Sequence, residues 1–330
     1  MEGLVDMPIW TGRSVLITGA TGLVGSWLTK RLLSEGAHVT ALILDNDYQS
    51  ELIRSGKINS VNIVNGNLCN LDDVKRAVYR ENVEMIFHLG AQTIVGNALL
   101  DPLTTLETNV QGTWNVLETA RLSKGLVKSI LIASSDKAYG TSPSLPYTEH
   151  MPLRGDGPYD VSKSATDLIS RSYGLTYELP VVIARCGNIY GGGDLNWSRI
   201  IPGTIKSLLL GEVPVIRSDG KYVRDYIHVD DAVDAYLHMA KSVSESNIYG
   251  EAFNFSRDEP MSVLDLYSKI CEVVLGEYIE PLIRNSARAE IHSQHLDNTK
   301  AREQLGWISK ISIEDGLART VEWYRKFLNS

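Results

Sequence analysis

Val15-Leu16-Ile17-Thr18-Gly19-Ala20-Thr21-Gly22-Leu23-Val24-Gly25 sets three glycines, three residues apart, behind four apolar or β-favouring residues. The first four predict a short buried strand. Ser26-Trp27-Leu28-Thr29-Lys30-Arg31-Leu32-Leu33 then repeats apolar residues at helical intervals. Strand, glycine turn and helix in that order present free backbone N–H groups and a positive dipole end to a phosphate. Gly19 permits the tight turn, Gly22 lets the backbone approach a pyrophosphate, and Gly25 lets the helix close on the strand. Turns collect glycine in any case. A second strand, His38 to Leu44, follows soon after, and that context favours dinucleotide binding.

At 330 residues the chain has length for one large domain or two modest ones. With 43% hydrophobic and 22% charged residues it has an ordinary globular composition. A net charge of −8 argues against nucleic acid or an anionic membrane as the main partner. An anionic substrate stays open, since it needs only a local arginine or two. Cys69, Cys186 and Cys271 are odd in number and lack C-x-x-C spacing, which argues against a disulfide framework or a zinc site. No apolar run approaches a membrane span, and Met1 to Arg13 has acidic residues and no signal-peptide core. The chain reads as cytoplasmic.

Alternating strand and helix patterns predict an α/β fold with a doubly wound parallel Rossmann sheet. Strands are expected at 14–18, 38–44, 60–64, 84–89, 127–134 and 180–185, with helices at 23–35, 71–81, 102–124 and 158–178. After Gly191 the pattern loosens into helices at 198–210, 230–242, 262–275 and 313–328 between short strands. Residues 1–186 therefore read as the cofactor-binding domain. Residues 187–330 read as a smaller mixed α/β region over the crevice, of which one element could cross back to the sheet.

The G-x-x-G-x-x-G spacing resembles the extended short-chain dehydrogenase/reductase family. The resemblance implies bound NAD, lined by Gly19, Thr21, Gly22, Leu23, Val24 and Gly25. An acid normally ends the second strand and holds the ribose. Its usual position falls at Ile43, with Asp45 two residues on, on the same face if the strand continues; the alternative is a plain loop aspartate. No arginine follows the strand to receive a 2′-phosphate, so NAD is favoured, with NADP left open. Asn67-Leu68 stands where relatives place Asp-Leu against the adenine, and the Asn67 amide oxygen can accept the same bond. Phe87-His88-Leu89-Gly90-Ala91-Gln92 resembles the family's H-L-A-A-Q beside the cofactor, with His88 read as a packed strand-end residue. Asn109 matches the asparagine that braces the family's active site.

Tyr159 and Lys163 lie four residues apart, on one face of an expected helix. A tyrosine of ordinary pKa, about 10, is a poor base at neutral pH. Lys163 and a cationic nicotinamide would lower that pKa, and Lys163 can also bond the cofactor ribose. Ser135 matches the family's third catalytic residue. Asp136-Lys137 follows it directly. The pair is similar to the Asp-Lys of CDP-glucose 4,6-dehydratases, as are Gly25-Ser26-Trp27-Leu28 and Gly191-Gly192-Gly193-Asp194. That resemblance implies C4 oxidation with Tyr159 as base, removal of the C5 proton by Lys137, and protonation of the departing C6 hydroxyl by Asp136. Lys137 would have to be neutral to act so. The competing readings are an exposed turn pair at 136–137 and a nucleotide-sugar 4-epimerase, which needs only Ser135, Tyr159 and Lys163.

Arg185-Cys186-Gly187-Asn188-Ile189-Tyr190-Gly191 resembles the family's R-x-x-N-x-Y-G, implying that Asn188 bonds the sugar diphosphate. Arg199 and Arg224 are the natural diphosphate ligands, because guanidinium pairs bidentately with phosphate oxygens. Arg224 opens Arg224-Asp225-Tyr226-Ile227-His228-Val229-Asp230-Asp231, a stretch widespread in members that use nucleotide sugars. Asp230 and Asp231 are expected to cap the next helix, and no metal is expected. In the family the counterparts of helices 102–124 and 158–178 pair across a homodimer as a four-helix bundle.

Overall fold

Seven parallel strands in the order β11-β6-β5-β4-β1-β2-β3 form the central sheet of the computed structural model, which describes residues 9–45, 47–246, 248–286 and 291–329. The strands are β1 (Ser14–Thr18), β2 (His38–Ile43), β3 (Asn62–Asn65), β4 (Met85–His88), β5 (Ser129–Ala133), β6 (Val181–Cys186) and β11 (Ala252–Phe255). The order reverses on either side of β1, so the strand ends open a crevice beside the glycine turn.

Side chains alternate across β1, as a pleated strand requires. Val15 and Ile17 join a core with α1 (Leu23–Ser34) and α9 (Val229–Ser246). Leu16 joins a second core, on the opposite face, with α3 (Leu71–Arg80) and α6 (Gly112–Leu122); α7 (Pro158–Tyr177) packs there too through Ile169 and Tyr173. Each fully buried Val, Leu or Ile contributes about 1.5–3 kcal/mol, so these two layers dominate the stability. The sheet thus draws its last strand and one covering helix from beyond residue 187.

The remaining elements form a smaller mixed unit. β7 (Asn188–Tyr190) pairs with β10 (Tyr226–His228), β8 (Val215–Ile216) with β13 (Leu282–Ile283), and β9 (Val223–Arg224) lies between β12 (Met261–Ser262) and β14 (Ser293–Gln294). Helices α8 (Ile200–Leu209), α10 (Val263–Leu275) and α12 (Ile313–Leu328) enclose a third core around Ile205, Tyr267, Ile270, Leu317 and Tyr324. α11 (Thr299–Leu305) packs against β11.

Three expectations change. The helix expected at 102–124 is α5 (Pro102–Leu106), a wide π-type turn over Glu107–Gln111, and α6, with short helices α2 (Glu51–Arg54) and α4 (Val95–Leu100) earlier. The cause of the widening is local. Hydroxyls of Thr113 and Thr166 take the Asn109 carbonyl at 2.6 and 3.1 Å, in competition with the regular helical ladder. Second, β2 stops at Ile43, so Asp45 lies in an exposed bend and not on a continued strand face. Third, Asp230 and Asp231 do not cap α9 with their side chains. The His228 Nδ1 accepts the Asp230 N–H at 3.2 Å, whereas Asp230 pairs with Arg319 and Asp231 binds Ser309 Oγ and the Ile311 N–H.

Candidate active site

The glycine turn is a backbone cradle. Gly19 has φ +70°, and a Cβ there would stand 2.8 Å from the Gly90 nitrogen. A Cβ on Gly25 would stand 2.0 Å from the Gly19 oxygen, which closes helix on turn. Gly22 is exposed, with extended backbone; it precedes α1 without a side-chain cap, and the first turn of α1 holds no acid. The helix's first N–H groups and dipole are left to a ligand, with Thr21, Leu23 and Val24 half-buried around them. This geometry fits a dinucleotide diphosphate.

Neighbouring loops close on the cradle. The Leu89 N–H bonds the Thr18 oxygen at 3.2 Å, and the Leu68 side chain packs against Gly90. Asn115 holds the Leu68 carbonyl at 2.7 Å. Asn67 is exposed and spends one lone pair of its amide oxygen on the Cys69 N–H at 2.9 Å, which leaves a second for a ligand. Asn109 clamps Gln92 from both sides, accepting its N–H at 2.7 Å and donating to its carbonyl at 3.0 Å. The same amide donates to Ser162 Oγ at 2.8 Å, so the Ala91-Gln92 loop is tied to α7.

His88 links these parts. The Gly90 N–H bonds Thr18 Oγ1 (3.0 Å), Thr18 faces His88 Nδ1 (2.8 Å), His88 Nε2 faces Thr113 (3.1 Å), and Thr113 donates to the Asn109 carbonyl (2.6 Å). Directions along the chain require a neutral ring with its proton on Nε2. Burial, reinforced by the Lys163 charge, pushes the imidazole down to about 3. His88 is a packed, neutral strut.

Tyr159 and Lys163 stand one turn apart on α7, facing the turn Asp136–Tyr139 that follows β5. Burial pushes the Tyr159 phenol up to about 12; Arg199 and a hydrogen bond with Ser135 pull the other way, while the charges of Asp136 and Asp160 add to the rise. The sequence reading gave the lowering role to Lys163 together with a cationic nicotinamide. In the structure Lys163 donates to the Ala133 carbonyl at 2.8 Å, burial brings it down to about 8, and Arg199 is the leading positive influence on the phenol. Ser135 donates to Asp136 Oδ1 at 3.0 Å and accepts the Lys137 N–H at 3.2 Å. Asp136 is 4% exposed, and burial raises its pKa against the pull of Lys137. Its Oδ2 has no partner among the described residues. Half-buried Lys137 acts on both Asp136 and Asp160, so two carboxylates flank it.

On the substrate side, Arg224 is buried, bonds the carbonyls of Val223 and His292, and its charge reaches Asp136 and Tyr147. Arg199 is exposed and pairs with Asp194 at 2.9 Å. Asn188 is half-buried, its amide donating to the Asp225 carbonyl at 3.2 Å. Ser135, Asp136, Lys137, Tyr159, Arg199 and Arg224 thus converge on one crevice. Asp45 is not among them; it stands exposed in the bend after β2.

Sequence reasoning missed the support beneath. Arg185 grips Asp167 with two bonds, at 2.7 and 2.8 Å, and donates to the Tyr139 hydroxyl at 2.8 Å. Tyr139 donates to Asn254 Oδ1 at 2.7 Å and stacks on Tyr147 with centroids 4.8 Å apart. The helical spacing of Tyr159, Lys163 and Asp167 was the available signal. Among the described residues no cluster of His, Cys, Asp and Glu is arranged to hold a metal, and no helix is long and apolar enough to cross a membrane.

The sequence matches the family model for GDP-mannose 4,6 dehydratase over residues 16–320. It is 31% identical to a UDP-glucose 4-epimerase of Mycolicibacterium smegmatis, covering 94% of this chain and 98% of that protein. It is 28% identical to a CDP-glucose 4,6-dehydratase of Salmonella typhimurium, covering 98% and 94%. A crystal structure of a dTDP-glucose 4,6-dehydratase from Streptomyces venezuelae, with NAD bound, superposes with a TM-score of 0.83 at 28% identity, covering 95% and 97%.

Proposed function

Because the chain belongs to the extended short-chain dehydrogenase/reductase family of NAD-dependent epimerases and dehydratases, we propose that it is a nucleoside-diphosphate-hexose 4,6-dehydratase of the CDP-glucose type. The observation that carries this reading is Asp136: a buried carboxyl whose environment favours holding a proton, with one oxygen unpartnered, next to Ser135 and Tyr159. A 4-epimerase has no use for such an acid.

NAD, held by the glycine cradle, Leu68, Leu89, Ala91, Gln92 and Lys163, would supply the oxidising power, taking a hydride from the sugar C4 and returning it to C6. The chain's own groups do the proton work. Tyr159 removes the O4 proton as the 4-ketone forms. The ketone acidifies C5, from which Lys137 takes a proton. Asp136 protonates O6, which leaves as water, and Lys137 returns its proton to C5. Arg224, Arg199 and Asn188 hold the diphosphate that keeps the hexose in register. Burial keeps the phenol protonated in the chain alone, so cofactor and substrate must complete its activation.

The discriminating experiment is mass spectrometry after incubation with a panel of nucleoside-diphosphate hexoses. The expected product is lighter by one water, with no added cofactor consumed. An isobaric product with altered sugar couplings would establish the second reading, a 4-epimerase, which the relative at 31% identity favours. In the dehydratase, Lys137→Ala with Asp136→Asn lowers turnover by about 10²–10⁴-fold.

The assembly we propose is a homodimer through α6 and α7. Leu100 (88% exposed), Leu103, Trp114, Leu168, Leu175 and Tyr177 place an apolar surface on α4 to α7, the kind of face a second copy covers.

A further inference from the structure

Gly191-Gly192-Gly193-Asp194 leads from β7 towards Arg199, the residue before α8. Asp194 is 5% exposed and accepts from Arg199 Nη1 at 2.9 Å, while its other carboxylate oxygen takes the Asn196 N–H at 3.1 Å. The Tyr324 hydroxyl donates to the Asp194 carbonyl. A guanidinium carries five N–H donors, so one can hold Asp194 while others face a phosphate. Without that tether an exposed arginine spreads over many rotamers, and ordering it on binding costs entropy.

The loop that carries Asp194 is itself gripped by two indoles. Trp27, on α1 two residues past Gly25, donates its ring N–H to the Gly192 carbonyl at 2.7 Å. From α12, Trp323 packs so closely that a Cβ on Gly192 would stand 2.3 Å from its ring. Both indoles meet at α2. Trp323 donates to Glu51 Oε2 at 2.8 Å, and Lys30 pairs with the same carboxylate while lying 4.1 Å from the Trp27 ring centroid. Gly193, at φ +96°, sits against Glu51 as well: a Cβ there would stand 3.2 Å from the Glu51 Cβ. The proposed chemistry uses neither indole.

We propose that Trp27 is a positioning residue for the substrate: through Gly192 and Asp194 it aims Arg199 at the diphosphate of the nucleotide sugar. The inference rests on the diphosphate role given to Arg199 above, and it holds for a dehydratase and an epimerase alike. Helix α1 then serves both halves of the crevice. Its first turn faces the cofactor diphosphate, and its next turn grips the loop of the substrate arginine.

The test is a double-mutant cycle on the NAD-loaded protein, read by calorimetry with CDP, UDP, dTDP or GDP, whichever the wild type binds tightest. Arg199→Met is expected to weaken binding on the order of 10–100-fold, as a charge-assisted bond to phosphate is lost. Trp27→Phe keeps an aromatic ring but removes the N–H, and is expected to weaken binding about 3–10-fold. In the Arg199→Met background the same change should cost less than about twofold, because the arginine it positions is gone. Trp323→Phe loosens the loop from its other face and should show the same dependence on Arg199, so the result does not hang on the folding of one variant. A purely structural role gives the same loss with and without Arg199. That result, or no loss from either tryptophan, overturns the positioning role. If Arg199→Met binds the nucleotide as the wild type does, the diphosphate assignment falls and the inference with it.

Discussion

Two buried groups oppose each other in their response to acid. His88 titrates at about 3 in the fold against 6.5 when free, so it stays neutral where the unfolded chain is protonated. Its contribution is present above pH 6.5 and is lost as pH falls towards 3, a swing on the order of 4–5 kcal/mol. Asp225 moves the other way, raised to about 7 from 3.8, first by burial and then by the charge of Asp136. The fold keeps it protonated, so stability is lost as pH rises from about 4 to 7, by on the order of 4 kcal/mol. Between pH 4 and 6.5 the two slopes nearly cancel. Denaturant titrations of Asp225→Asn should show stability climbing with pH across that window, and His88→Gln should show it falling. Parallel curves for wild type and both variants would refute the assignment. At the catalytic residues, Tyr159→Phe is expected to lower kcat by about 10²–10⁴-fold with NAD still bound, read by turnover and by cofactor retained after gel filtration.

Elements hold the site at two points. The first is the π-type turn, where Asn109 fastens Gln92 to α7 through Ser162. Asn109→Ala frees that loop and leaves buried polar partners unpaired, so NAD affinity measured by calorimetry should fall and the melting temperature with it. The second is the buried Arg185–Asp167 pair, 5% and 0% exposed. Arg185→Leu strands the Asp167 charge, at a cost of about 3–5 kcal/mol in a thermal melt. These elements also mark how far the sequence could be read. Glycine turn, Tyr159–Lys163 spacing and the serine ahead of them are local patterns, legible because turn and helix geometry depend on near neighbours. The clamp on Tyr139 was not legible, since it needs Asn254 on a strand that returns to the sheet only after the 188–246 segment. The break at Asn109 escaped because one of the two hydroxyls that take its carbonyl, that of Thr166, lies on another helix.

At the scale of the molecule, the same return explains why the division at residue 187 is blurred: α9 and β11 cover and extend the sheet, while α12 reaches back to α2 through Trp323 and Glu51. The proposed dimer belongs here as well. Leu168→Glu puts a charge into the apolar face of α7 and should give a monomer in sedimentation at micromolar concentration, whereas wild type sediments as a dimer. A monomeric wild type would remove the bundle from the account.

The late arrival of β11 has a cost during synthesis. Every residue of β6 is buried in the finished protein, yet its partner at Ala252–Phe255 leaves the ribosome only after the entire 188–246 segment. Through that interval a nascent chain carries an open, apolar edge of the kind other chains add to. Fragments ending anywhere between these two strands are accordingly expected to self-associate in the cell, and a chaperone that shields extended backbone is the remedy that would raise yield.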